Sequence, residues 1–410
     1  MSAYPHASMR YALICPFAHS IIRSRLMQID PQLKSFLAIA IELGASDIHI
    51  SVGTPPVVRL HDRIRPIEGQ PKLMPDDTRR LLFSIIDDDH MATLMENGET
   101  DLSYGIPELG RFRVNVYKQR GSFAAAIRIM HTTVPDPEKL EIPRTIIDLY
   151  KKKSGLVLVT GPTGSGKSTT LAAIIQQVNL NRYCHVLTLE DPIEYLYRHN
   201  CSLVDQREIG LDSKSFASAL RAALREDPDV IMVGEMRDLE TIATAITAAE
   251  TGHLVFSSLH TNDAASTINR IIDVFPENQK EQIRTQLSMV TESVISQRLL
   301  PRADGKGRTA CFEIMHCNPA IRSLIRENKI HQIPGIIQTS SKAGMITMDE
   351  ALYQAVSEGR ITRETALEYA SDAPAMELRF GSDPVTGSSK AAASQASPAP
   401  APEPARRFRW

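Results

Sequence analysis

A chain of 410 residues, 42% hydrophobic and 23% charged, is long enough for two domains with separate cores and has the composition of a soluble globular protein. Collagen-like, fibrous and wholly disordered chains are excluded. Lys plus Arg (46) nearly balances Asp plus Glu (48), so no bulk basic field draws the chain onto nucleic acid, and a DNA-tracking motor is disfavoured.

Residues 1–27 carry no clear pattern. The apolar patch from Tyr11 to Ile22 is broken by Pro16 and His19 and lacks a small-residue cleavage site, which argues against a signal peptide and makes Met27 a candidate start. Peptide sequencing that found residues 1–26 in the natural protein would exclude that start. From Asp30, the residues Leu33, Phe36, Leu37, Ala40 and Ile41 recur as one helical face ending at Gly44. Short strands follow at 48–50, 57–60, 111–116 and 124–129, with a helical stretch over 76–87, which predicts a small α+β domain. Pro135, Pro137 and Pro143 then mark a stiff connection.

Beyond it, strands alternate with helices, the mark of an α/β domain with a largely parallel sheet. The expected division is an extension over 1–27, an α+β domain over 28–134, a linker over 135–153, an α/β domain over 154–372 and a low-complexity tail over 373–410. The tail ends in Arg406-Arg407-Phe408-Arg409-Trp410 and reads as disordered and solvated. No apolar run approaches the ~18 residues needed to span a bilayer. Five cysteines (Cys15, Cys184, Cys201, Cys311, Cys317) without a Cys-x-x-Cys pair read as reduced thiols in a cytosolic protein, with no structural zinc site.

At the head of the second domain, Gly161-Pro162-Thr163-Gly164-Ser165-Gly166-Lys167-Ser168 fills every fixed position of the phosphate-loop signature. The β-branched run 156–160 precedes it, and Leu171, Ile174, Ile175 and Val178 follow at helical spacing. Glycines let backbone N–H groups curl round phosphates, and the helix start adds a positive dipole end. Lys167 reaches the outer phosphates; Ser168 offers a hydroxyl to Mg²⁺, with Thr169 as its substitute.

In a parallel sheet, residues just past each strand gather on one edge. Strand 185–189 delivers Glu190, Asp191 and Glu194 to the loop's edge, strand 230–233 delivers Glu235, and strand 254–259 delivers His260. Glu235 is the candidate for polarising the attacking water. Glu190, Asp191 and Glu194 are candidates for holding Mg²⁺, its waters and neighbouring cations, and His260 for sensing the terminal phosphate. His253 precedes the strand that His260 follows, about 20 Å away along an extended chain, so it takes a structural or subunit-contact role. Arg111 and Arg113 alternate onto one strand face, with Arg128 on another strand. They are candidates for contacting ATP, including from a neighbouring subunit, or form an exposed strand face.

With these residues placed, the chain resembles the secretion-superfamily ATPases, and within them the PilT/PilU group of type IV pilus retraction motors, over residues 28 to about 372. The resemblance rests on the phosphate loop and on Gly44-Ala45-Ser46-Asp47-Ile48-His49, Gly110-Arg111-Phe112-Arg113-Val114-Asn115 and Leu189-Glu190-Asp191-Pro192-Ile193-Glu194. It rests further on the segment from Asp227 to Asp238, on Thr251-Gly252-His253 through His260, and on the helix motif Ala320 to Glu327. It implies a PAS-like N-terminal domain, a RecA-like P-loop ATPase domain with a helical C-terminal part, and a homo-hexameric ring with ATP and Mg²⁺ at subunit junctions. It also implies work on an inner-membrane pilus platform protein from the cytoplasmic face, alongside a paralogous retraction ATPase. In that helix motif, Ile321, Leu324 and Ile325 form a stripe from which Arg322 and Arg326 are expected to point away. The loop and Gly234 to Asp238 are closer to PilT, whereas Asp304 to Arg308 and the tail are closer to PilU; Ser323 replaces the usual Asn.

The function these residues imply is ATP hydrolysis driving pilus retraction and twitching motility. The alternatives are a PilU-like accessory or regulatory ATP-binding subunit and, more distantly, a type II secretion or DNA-handling ATPase. Secretion and extension ATPases carry paired Cys-x-x-Cys zinc ligands and a longer N-terminal region, neither of which this sequence has.

Overall fold

The computed structural model describes residues 29–382, apart from 61–62, 108 and 131–132, and divides into two compact units after Met130. The N-terminal extension and the basic, aromatic tip of the tail lie outside the described residues.

In the first unit, strands β1 (Asp47–Ile50), β2 (Val57–Leu60), β3 (Arg63–Pro66), β4 (Glu99–Ile106), β5 (Gly110–Gln119) and β6 (Ser122–Met130) form one antiparallel sheet in the order β3-β2-β1-β6-β5-β4. Alternation along β5 buries Phe112, Val114 and Val116 in one core with Leu33, Phe36, Leu37 and Ala40 of the helix Pro31–Glu42. That helix starts sharply, because Asp30 accepts the Gln32 N–H at 2.8 Å and Pro31 stands at its first position. Of the helical stretch expected over 76–87, only the part within the helix Pro75–Phe83 is helical, and a second helix, Asp88–Asn97, begins just beyond it. The second is capped by the Asp87 carboxylate on the His90 N–H at 2.8 Å.

The second unit is built on strands β7 (Gly155–Thr160), β8 (His185–Glu190), β9 (Leu203–Glu208), β10 (Val230–Val233), β11 (Leu254–Leu259), β12 (Thr291–Pro301) and β13 (Arg308–His316). Their order is β13-β12-β7-β11-β10-β8-β9, and only β13 runs antiparallel to its neighbour. β7 is buried at every position and carries no polar side chain until its last residue, Thr160, as burial on both faces favours. Leu156 and Leu158 join the core under the helices Phe216–Ala223, Leu239–Glu250 and Ala264–Asp273, while Val157 and Val159 pack against the helix Lys167–Asn181.

Two boundaries differ from the sequence expectation. Within the span read as a linker, Ile142, Ile146 and Leu149 are buried in the second unit's core, so that part of the segment is folded. Within the span read as tail, residues 373–382 form the helix Ala373–Ser382, whose Met376 and Phe380 are buried with Met348, Leu352 and Ile361. Met376, Leu378 and Phe380 recur at every second position, a spacing that carries no helical period, and Leu378 stays exposed.

Glu313, on β13 and 9% exposed, joins the sheet to the C-terminal helices. Its carboxylate accepts the Ala264 N–H at 2.7 Å and the Met348 N–H at 3.3 Å, the first residues of two helices. Burial pushes its pKa up, and these N–H groups oppose that rise. Glu313→Ala would leave both donors buried without their acceptor and should cost about 2–4 kcal/mol of stability. Chemical denaturation tests this, and a loss below about 0.5 kcal/mol, the level of an ordinary surface change, would refute the clamp.

Candidate active site

The loop between β7 and the helix Lys167–Asn181 is held open at its ends by two left-handed glycines, Gly161 (φ +144°) and Gly166 (φ +89°). Gly166 caps the helix with no side-chain hydrogen bond, so the first helical N–H groups have no capping acceptor. Ser165 Oγ is buried without a partner. Lys167 turns back on the loop, donating to Gly161 O at 2.9 Å and Pro162 O at 3.1 Å. Burial lowers its pKa, and the negative charges of Glu235 and Glu194 oppose that shift. A buried cation beside uncapped N–H groups fits an anion, and the chain's own carbonyls hold the ammonium where phosphate oxygens would. Pro162, Thr163 and Gly164 form the exposed crest.

The neighbouring strand ends converge on this loop as their parallel register requires. Ser168 Oγ donates to Glu194 Oε1 at 3.2 Å, and Thr169 Oγ1 lies 3.0 Å from the Tyr195 hydroxyl. Asp191 is exposed. Glu190, only 8% exposed, accepts from Thr188 Oγ1 at 2.6 Å and Gln206 Nε2 at 3.1 Å; burial pushes its pKa up. Its bonds run to its own strand and to β9, so it braces the β8 end, whereas Glu194 reaches the loop.

Glu235 follows β10 after the single residue Gly234, and Met236 N bonds to Ser258 O at 3.2 Å while Ser258 Oγ bonds to Gly234 O at 2.6 Å. These bonds fasten the turn to β11. The carboxylate of Glu235 lies 3.5 Å from His260 Nε2 and 2.7 Å from Arg237 Nε. Sequence order placed Glu235 and His260 on one edge without pairing them and missed Arg237, although it lies two residues along in the same segment. His253 closes the other end of β11's approach: its Nδ1 lies 2.9 Å from Ala248 O, at the end of the helix Leu239–Glu250.

Arg111 and Arg113 belong to the first unit, on the β5 face opposite its buried residues, and Arg113 stands directly across from Arg128 in the β5–β6 register. Arg128 is drawn to Asp47 at 2.9 Å. In the helix Pro319–Arg326, Ile321 and Ile325 are buried, whereas Leu324, the third member of the expected stripe, is half-buried at the edge of the same core. Arg322 does not simply point away. It donates to Ser288 O and Met289 O at 2.8 and 2.6 Å and meets Glu292 at 2.7 Å, because the preceding helix Lys280–Val290 ends beside it with open carbonyls.

A parallel sheet buried on both faces, with a phosphate loop after β7 and acid and imidazole on the same edge, defines a phosphate-loop nucleotide-binding protein. The family described as type II/IV secretion system protein matches residues 127–368, and the chain belongs to that family. It is 47% identical to the type IV pilus retraction ATPase PilT of Pseudomonas aeruginosa over 82% of this chain and 98% of that protein. With the type IV pilus ATPase PilU of the same organism it shares 38% identity over 86% of this chain and 92% of PilU. A crystal structure of the pilus retraction motor PilT with bound ADP superposes with a TM-score of 0.80 at 51% identity, covering 84% of this chain and 98% of that one.

Proposed function

We propose that the chain is the ATP-hydrolysing subunit of a type IV pilus retraction motor. The likeness to PilT over nearly that protein's whole length carries this reading, since the phosphate loop alone argues only for nucleotide binding. In this reading the loop N–H groups and Lys167 hold the phosphates, Glu235 takes a proton from the attacking water, and His260 orients Glu235 and meets the terminal phosphate. Ser168 would hold Mg²⁺, with Asp191 and Glu194 acting partly through water, and the ion would neutralise charge developing between the outer phosphates. Arg111 and Arg113 would reach ATP across a subunit junction of a homo-hexamer. The ring would work at the cytoplasmic face of the inner membrane on a pilus platform protein, beside a paralogous retraction ATPase. Among the described residues, no helix is long and apolar enough to cross a membrane.

Higher identity to PilT than to PilU favours the principal motor over the accessory subunit. Deleting the coding sequence should leave cells with excess surface pili and no twitching, and complementation with the Lys167→Met chain should restore neither phenotype. Bald cells would assign the motor to pilus extension instead.

A further inference from the structure

Gln297, on β12, is 4% exposed in a stretch that includes the buried apolar residues Val294, Ile295 and Leu300. A buried amide is costly unless its polar atoms are paired. Its Oε1 accepts from Thr170 Oγ1 at 2.7 Å, and Thr170 is buried in the first turn of the helix that the phosphate loop starts. Immediately before it on β12, Ser296 Oγ lies 2.9 Å from Thr160 Oγ1, where β7 ends and the loop begins.

The glycines report the same contact from the loop's side. A Cβ on Gly161 would come within 2.3 Å of the Gln297 carbonyl oxygen, and one on Gly166 within 2.8 Å of Gln297 Nε2. Gly164, at the exposed crest, has open space around the same position. Both ends of the loop are therefore pressed against one residue of a neighbouring strand, and its middle is free of such contact.

We propose that Gln297 is a positioning residue for the nucleotide's phosphates, fixing both ends of the loop and the first helical turn so that the N–H cradle exists before the anion arrives. This rests on the nucleotide reading of the loop. The residue touches neither the attacking water nor Glu235 in that reading, so its removal acts on affinity rather than on the chemical step.

The test uses the full chain, Mg-ADP as titrant, and the variants Gln297→Met, Thr170→Val and their combination. Gln297→Met keeps the side chain's length and loses its acceptor; Thr170→Val removes the same bond from the helix side. Each single variant should weaken Mg-ADP binding and raise KM by about tenfold, with kcat within about threefold of the parent. The double variant should lose no more than about thirtyfold, since both changes delete one interaction, whereas independent effects would multiply to about a hundredfold. Each single variant leaves one buried polar group unpaired, so the thermal midpoint without nucleotide should fall by a few degrees in each and by no more in the double variant, which leaves none. Parent-like affinity in Thr170→Val or Gln297→Met, or a multiplicative affinity loss, would each overturn the proposal. Lys167→Met in the same titration separates the failures. If it binds like the parent, the nucleotide reading falls; if it alone loses binding, only the role of Gln297 falls.

Discussion

Glu235→Gln should lower steady-state ATP turnover by about 10²–10⁴-fold while Mg-ADP binding stays within about threefold of the parent. The substitution keeps the side chain's shape, and an amide can still accept from Arg237 and face His260. What it removes is basicity. The turn that carries position 235 is fixed to β11 by the Met236 N–H and the Ser258 hydroxyl, not by the carboxylate, so the site's frame should survive the change. Loss of a negative charge near Lys167 takes away one of the influences that favour its protonation but also one that repels phosphate, and the two effects on binding oppose each other. Phosphate release under saturating ATP, read beside calorimetric titration with Mg-ADP, checks both halves. Turnover within about tenfold of the parent would place the base elsewhere.

The part of this site carried by buried parallel strands was legible from the sequence, because β7, β8, β10 and β11 are short, mainly apolar runs that lead directly into the loop or into polar residues. β12 escaped for the opposite reason. Its Ser293, Ser296 and Gln297 read as polar, yet each is buried with a partner: Met315 O, Thr160 Oγ1 and Thr170 Oγ1. Such pairing is tertiary and has no sequence period. β9 escaped because it is the sheet's edge strand, with the polar segment Asp205-Gln206-Arg207 in its middle. The acids of the β8 end looked equivalent in sequence; only the fold separates Glu190, bonded back to Thr188 and Gln206, from Glu194, which meets Ser168. Arg322 likewise looked free on its own helix, and found its acceptors on a helix that ends some thirty residues earlier in the chain.

Lys167→Met should have opposite effects on function and on stability. Without the ammonium, the phosphates lose their main side-chain cation, and turnover should fall by about 10²–10³-fold or more, with Mg-ADP binding weakened to match. The empty protein should nevertheless hold its stability or gain about 1 kcal/mol, because the native lysine is a buried charge held by the Gly161 and Pro162 carbonyls, and the charges of Glu235 and Glu194 offset its burial only in part. The pH dependence gives an independent reading of the same cost. Burial lowers the folded-state pKa of Lys167 below its ordinary 10.5, so between the lowered value and 10.5 the unfolded chain binds more protons than the folded one. In that window the parent's stability rises with pH relative to the variant's, and the stability difference between the two proteins should shrink as pH increases. Denaturation curves of both proteins from neutral pH to about pH 10, without nucleotide, measure this. A variant less stable than the parent by about 2 kcal/mol or more, with a gap that does not move with pH, would show that Lys167 is a brace of the loop rather than a charge held ready for an anion.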